Sequence, residues 1–270
     1  MQRKIEESLE QEYIRIQNAL QAKIRIPSKS DGENAGGTMY STGENPVMGR
    51  ERPMKDEQPI GNERPMDLTS IKTVAGVDLA YWKQEETEYA VCCIVVLDHL
   101  SHEVIEQKEY MDVVKVPYVP GCLAFRELPL FMGANQLLEH QPDIYFFDGN
   151  GYLHPRHMGL ATHAGILLEK PTIGIAKSYY KIGNVDYLMP EDEQFAYTDI
   201  VIEGEVYGRV LRTQKGVKPL FLSIGNRIDL DTAMKFANVM VTKDSHIPLP
   251  TRLADIMTHE ARKRYKSRQS

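Results

Sequence analysis

Apolar side chains at Ile5, Leu9, Tyr13, Ile16, Leu20 and Ile24 recur at steps of three or four, and Pro27 follows them. That spacing lines one face of a helix, so it predicts an amphipathic helix docked on a core. From Ser28 to Thr69 the pattern dissolves into sparse aliphatics, dense Gly, Pro and charges, and a repeated ERPM. This predicts a flexible insertion. Periodicity returns in TVAGVDLAY (Thr73–Tyr81), YAVCCIVVLD (Tyr89–Asp98) and EVIEQKEYMDV (Glu103–Val113), three strand-like segments with short polar connections. They read as an antiparallel meander. A helix is expected over Arg126–His140, with Pro129 tolerated in its first turn. Then come a buried strand, DIYFFD (Asp143–Asp148), a helix from His157 to Glu169, and a strand, PTIGIA (Pro171–Ala176). Strand candidates at 196–212 and 219–224, a helix over Leu230–Val241 and a last helix from Thr251 complete the chain. The order implies an α/β protein, a mixed sheet with helices on its faces.

Bulk properties narrow the class. The 270 residues suffice for one substantial core with an appendage. Hydrophobic residues make up 42% and charged ones 26%, which excludes collagen-like and wholly disordered chains. A net charge of −6 does not advertise nucleic-acid binding, so such a role needs a local basic patch. Cys92, Cys93 and Cys122 form neither a disulfide framework nor a zinc spacing. The longest apolar run, Ala90–Leu97, falls far short of the roughly 20 residues that span a bilayer. The start, MQRKIEESLEQEY, lacks the apolar core of a signal peptide, so a cytoplasmic location is expected and no membrane partner.

Candidate chemistry sits where charge interrupts apolar strands. Asp78 lies inside VAGVDLAY, where a carboxylate is costly unless it faces solvent or something neutralises it. Asp148 ends YFFD, at a strand end of the kind where sites gather in α/β sheets. Glu127 shares a helix face with Leu130, Phe131, Ala134 and Leu138, so it is either an N-terminal acid favoured by the helix dipole or a group aimed at the sheet. Together the three offer hard oxygen ligands, which favour Mg²⁺ or Mn²⁺ over zinc, and such ions support phosphodiester hydrolysis. Lys177, just after TIGIA, could polarise or deprotonate a water there, or be an ordinary exposed lysine. In PYVPG (Pro117–Gly121) two prolines stiffen Tyr118 and Val119, either as a rigid tip that wedges between bases or as a plain turn. His154, His157 and His163 miss the two-histidine zinc spacing, and DGNG misses both common nucleotide fingerprints. His154, close to Arg156, is expected to contact phosphate, and His163 to be a core or helix-surface residue.

These motifs resemble one family. VAGVD, PYVPG with LAFRELP, DGNGYLHPRHMGLATHAG, PTIGIAKS, GNRI and LPTRLAD, spread over Thr73–Asp255, are similar in kind and order to those of endonuclease V, the RNase H-like deoxyinosine 3′ endonuclease. The resemblance implies an RNase H-like mixed sheet with helices on both faces. It also implies Mg²⁺-dependent hydrolysis, with Mn²⁺ as a substitute, of the second phosphodiester bond 3′ to a deoxyinosine, leaving 3′-hydroxyl and 5′-phosphate ends. Asp78, Glu127 and Asp148 match its metal carboxylates and Lys177 its catalytic lysine. Pro117, Tyr118, Val119 and Pro120 match its DNA wedge. Gly121, Cys122 and Leu123, with Gly149, Asn150 and Gly151, would line a pocket for the flipped base, and Arg126, His154 and Arg156 would touch DNA phosphates. The partner is inosine-containing DNA, with inosine in RNA as the alternative, and a monomer is expected. A damaged-DNA binding protein with weak cleavage is the rival from another class.

The chain departs from the family pattern in two places. Asn226 stands where a GHRI-type histidine is usual, so it is the expected fourth metal position. The insertion at 28–69 has no counterpart in a compact core. The organisation expected is a docking helix (1–27), that insertion, a catalytic domain (70–258) and a basic tail (259–270), which holds five Lys or Arg between Arg262 and Arg268.

Overall fold

The computed structural model describes residues 2–27 and 70–269, so the predicted insertion lies outside the described residues. Three long strands come first: β1 (Thr73–Gln84), β2 (Thr87–Asp98) and β3 (Val104–Val113). They pair as the antiparallel meander that alternation and short turns predict. β4 (Ile144–Asp148) and β5 (Thr172–Ala176) continue the sheet in parallel with β1. The segment 196–212 resolves into two strands, β6 (Tyr197–Ile202) and β7 (Glu205–Leu211), because Glu203 and Gly204 both take positive φ and turn the chain. With β8 (Leu220–Asn226) the order is β3-β2-β1-β4-β5-β8-β7-β6.

Helices cover both faces. α2 (Leu123–Asn135) and α3 (Leu160–Leu168) lie on one, α4 (Leu230–Val239) and α5 (Leu249–Gln269) on the other. This explains the apolar run in β2. Ala90, Cys92, Ile94 and Val96 join the core under α2, whereas Val91, Cys93, Val95 and Leu97 pack with Ala254 and Ala261 of α5. A strand buried on both faces reads as continuous rather than alternating apolar sequence.

Some boundaries move for local reasons. α2 starts three residues before Arg126. α3 starts after His157, whose φ of 52° is not helical, with Gly159 as its N-cap. The basic terminal run is not a separate tail but the second half of α5: Ala261 is buried, Tyr265 stacks on Trp82, and Arg264 and Tyr265 both bond Glu109. α1 (Gln2–Gln21) packs through Tyr13, stacked 4.1 Å from Phe125, and through the fully buried Gln17. Among the described residues no helix is long and apolar enough to cross a membrane.

Candidate metal centre and adjoining cavity

Strand register builds the centre. β1 and β4 pair in parallel up to Val77 opposite Phe147, so the next residues on the two strands, Asp78 and Asp148, come side by side. α5 crosses this face so closely that a Cβ on Gly76 would lie 1.9 Å from the Pro250 carbonyl oxygen, which only glycine permits. One turn further on, α5 delivers Asp255. Oxygens of Asp78, Asp148 and Asp255 lie within 4.8 Å of one another. Thr258, on the same helix, donates to Asp78 Oδ2 at 2.8 Å. Lys177, just past β5, places Nζ 2.6 Å from Asp148 Oδ2 and 3.0 Å from Asp255 Oδ1.

The electrostatics are unbalanced, three carboxylates against one ammonium. Burial, then the charge of Asp148, pushes Asp78 up to about 6 despite the Thr258 hydroxyl. Burial also raises Asp148, against the pull of Lys177. Burial would lower Lys177, but its bonds to Asp148 and Asp255 outweigh that and raise it. Lys177 is therefore an ammonium that donates rather than a base that takes a proton. Crowded, partly desolvated carboxylates without sulfur or imidazole suit a hard divalent cation, which would relieve the repulsion that raises them.

Glu127 reaches the same end of the sheet from α2, on the other face. It is buried, and Tyr81 donates to its Oε1 at 3.0 Å. Burial pushes it up to about 8; the Tyr81 bond opposes this, and the charges of Asp78 and Asp148 add to it. It lines, with Asp148, a cavity of about 170 Å³. Gly121, Leu123, Gly149 and Asn150 line that cavity too, as do Tyr118 and Tyr180. Tyr118 is 63% exposed while its neighbour Val119 is 8% exposed, so the turn holds an anchored ring out in solvent.

Several residues sit elsewhere than sequence reasoning expects. Asn226 is not at the carboxylates. It pairs with Thr172 at the start of β5, whereas Asp148 pairs with Ile175, three residues or about 10 Å along the strand. Its side chain is committed: Oδ1 accepts from the Arg25 N–H at 2.7 Å, and Nδ2 donates to the Gly165 carbonyl at 3.0 Å. Asp255 is the further carboxylate that the fold brings to Asp78 and Asp148. Arg126 donates to the Val116 carbonyl, pairs with Glu88 at 2.5 Å and lies over the Tyr81 ring. His154 is buried, with Nε2 2.9 Å from the Gly121 carbonyl oxygen and Nδ1 accepting from the Arg156 and Met158 N–H groups. Burial, with the Arg156 charge, holds that ring down at about 4, so it is neutral. Arg156 bonds Gln17 and the Gly121 carbonyl. In this structure these three groups bond protein partners and tie loops together, and His154 also lines the cavity. Cys122 is buried at the N-cap of α2, and Gly151 is a packing glycine whose Cβ would strike the Ile224 carbonyl; neither lines the cavity.

Sequence reasoning missed Asp255, Thr258, Tyr81 and Gln17. Asp255 and Thr258 carry a faint signal, an acid and a hydroxyl three apart on one helix face.

Comparison with known proteins agrees with this geometry. A family model described as Endonuclease V matches residues 56–256. The chain is 55% identical over 202 residues to Endonuclease V of Bacillus thuringiensis subsp. konkukian, covering 75% of this chain and 86% of the relative. It is 57% identical over 196 residues to that of Bacillus subtilis, covering 73% and 82%. The crystal structure of the Bacillus subtilis protein superposes with a TM-score of 0.80 at 45% identity, covering 96% of this chain and 94% of that one. Endonuclease V of Ciona intestinalis, in complex with a 24mer DNA containing an inosine followed by a ribo-adenosine, superposes with a TM-score of 0.72 at 25% identity, covering 94% and 98%. On the match across most of its length and the shared RNase H-like architecture, the chain belongs to the endonuclease V family and is an endonuclease.

Proposed function

We propose that this chain cuts DNA at deoxyinosine, hydrolysing the second phosphodiester bond 3′ to the lesion and leaving 3′-hydroxyl and 5′-phosphate ends. The observation that carries the reading is one juxtaposition: an unbalanced carboxylate triplet opens beside a cavity lined by the exposed ring of Tyr118. Asp78, Asp148 and Asp255 would hold the cation, Mg²⁺ with Mn²⁺ as a substitute, and Glu127 stands next to them. A divalent ion held there supplies electrophilic charge for phosphodiester hydrolysis. Tyr118 enters the base stack, and the cavity takes the extruded base, at a cost of a few kcal/mol that is least for a mispaired base. Lys177, fixed as an ammonium, balances negative charge at the reacting phosphate.

The catalytic unit spans 70–258, with the rest of α5 and the docked α1 as its supports; one protomer supplies the three carboxylates, Lys177 and the cavity, so a monomer suffices. We place this work on deaminated DNA in the cytoplasm.

The test is a nicking assay on an end-labelled duplex with one deoxyinosine, in Mg²⁺, Mn²⁺ or chelator. A single nick one nucleotide beyond the lesion's 3′ neighbour bond is expected with metal and none with chelator. Inactivity across protein and metal concentrations would sink the reading, and faster cutting of a matched ribose-inosine strand would shift it to RNA. Tyr118→Ala should slow duplex cutting about tenfold, the worth of one lost base stack, and slow single-strand cutting less.

A further inference from the structure

A chain of net charge −6 with three crowded carboxylates at its centre needs local cations to hold a polyanion. Arg126 and Arg156 are bonded within the protein, and Lys177 is held between Asp148 and Asp255. The second half of α5 supplies others. Ala254, Thr258, Ala261 and Tyr265 recur at steps of four and three and turn one side of the helix onto the sheet. The first three are buried, and Tyr265 stacks on Trp82, four residues beyond Asp78 on β1. α5 therefore runs on past the metal centre.

Beside that buried stripe, Asp255, His259, Arg262 and Lys266 recur at steps of four, three and four, so Arg262 and Lys266 continue the flank that delivers Asp255. Arg262 is half-buried and Lys266 exposed. Among the described residues no carboxylate pairs with Arg262. The opposite flank carries Arg268 and Arg264, and Arg264 bonds Glu109 on β3. At a rise of 1.5 Å per residue, Arg262 lies about 10 Å and Lys266 about 16 Å along the helix from Asp255. A DNA strand advances about 3.4 Å per phosphate, so those distances correspond to about three to five nucleotides. We propose that Arg262 and Lys266 form a track for the DNA backbone, holding phosphates about three to five nucleotides from the bond being cut without reading sequence.

This rests on the deoxyinosine reading, which puts the cut phosphate at the carboxylates, and the experiment separates the two. For the full chain, Kd for a labelled deoxyinosine duplex in chelator and KM for nicking in Mg²⁺ are measured across a KCl series. The proteins are the wild type, the double variant Arg262→Gln with Lys266→Gln, and a charge-matched control on the other flank, Arg264→Gln with Arg268→Gln. Expected for the first double variant is a rise of about tenfold in Kd and KM at low salt, with the slope of log Kd against log salt reduced by about 2. Its kcat, cut position and melting temperature should stay, as for lost uniform binding. The control gives up the Glu109 pair and should melt earlier, yet bind DNA like the wild type. Two further duplexes are each trimmed on one side to about two base pairs from the cut, short of the track's reach. On one of them the wild type and the Arg262 and Lys266 variant should converge. A double variant that keeps the wild-type Kd, KM and slope makes this flank a solvated face and overturns the inference alone. Equal weakening in the control, or no convergence on either trimmed duplex, assigns the effect to net charge and also overturns it. A wild type that never nicks deoxyinosine overturns the deoxyinosine reading instead, while a slope lost only in the Arg262 and Lys266 variant would still mark the track as a DNA contact.

Discussion

Two polar interruptions of the same sheet lie three residues apart along β5, and they are built in opposite ways. At the start of β5, Asn226 bonds Arg25 and Gly165 through its side chain, and Thr172 Oγ1 bonds both the Asn226 N–H and the Ala161 carbonyl. Donors and acceptors there match one to one. At the other end Asp78, Asp148 and Asp255 share one ammonium and one hydroxyl, and burial with mutual repulsion raises the first two. A closed network of neutral groups stabilises a fold by about 1 kcal/mol per bond. Crowded carboxylates cost free energy until a cation joins them. The difference separates a clamp from a centre better than the identity of any one residue does.

The sharpest way to break that contrast is to remove charge from the open end. Asp78→Asn should cut the nicking rate on the order of 10³-fold while leaving the thermal midpoint without added metal unchanged or higher, since a repelled carboxylate is lost. Retained activity would exclude Asp78 from the centre, and a collapsed midpoint would make the cluster structural. Asn226→Ala should do the reverse, lowering stability by about 2 kcal/mol, or several degrees in the midpoint, with the rate per folded molecule kept. Asn226→His, the change the family motif invites, should also destabilise, by overpacking a side chain with no free space, and add no activity. A variant whose metal dependence changed while its stability held would overturn the placement of Asn226 as a clamp.

The smallest expected effect comes from pH. Asp78 and Glu127 are raised to about 6 and about 8, so between roughly pH 4 and 8 the folded, metal-free protein binds more protons than the unfolded chain. The contribution of these groups to stability is thus full at the acid end and falls as pH rises through that window. A divalent cation competes with those protons. It should raise the midpoint little at pH 5 and by several degrees at pH 8, when present about 100-fold above its dissociation constant. Thermal melts across pH with and without Mg²⁺ or Mn²⁺ test this; a cation shift that shrinks with rising pH has the wrong sign.

The contrast also explains what could be read in advance. Asp78 and Asp148 stand out in sequence because a carboxylate among VAGV or after YFF violates an apolar strand. Asp255 does not, because α5 is rich in charge and one more acid there looks like a solvated face. Arg126, His154 and Arg156 are polar groups near a site, which is also how phosphate contacts look in sequence. Their actual partners, Glu88, Gly121 and Gln17, lie at separations from 33 to 139 residues that no local pattern encodes.

Periodicity was enough to determine the helices, the meander and the doubly covered strands, because burial on one face or two imprints directly on the order of apolar residues. The motif order was enough to determine the family. The tertiary structure decided which polar groups meet. Register brought Asp78 beside Asp148, the close crossing at Gly76 brought Asp255 to them, and the docking of α1 turned Gln17 toward Gly121. Those outcomes depend on distances between elements far apart in the chain, and a one-dimensional pattern of apolar and polar residues carries no record of them.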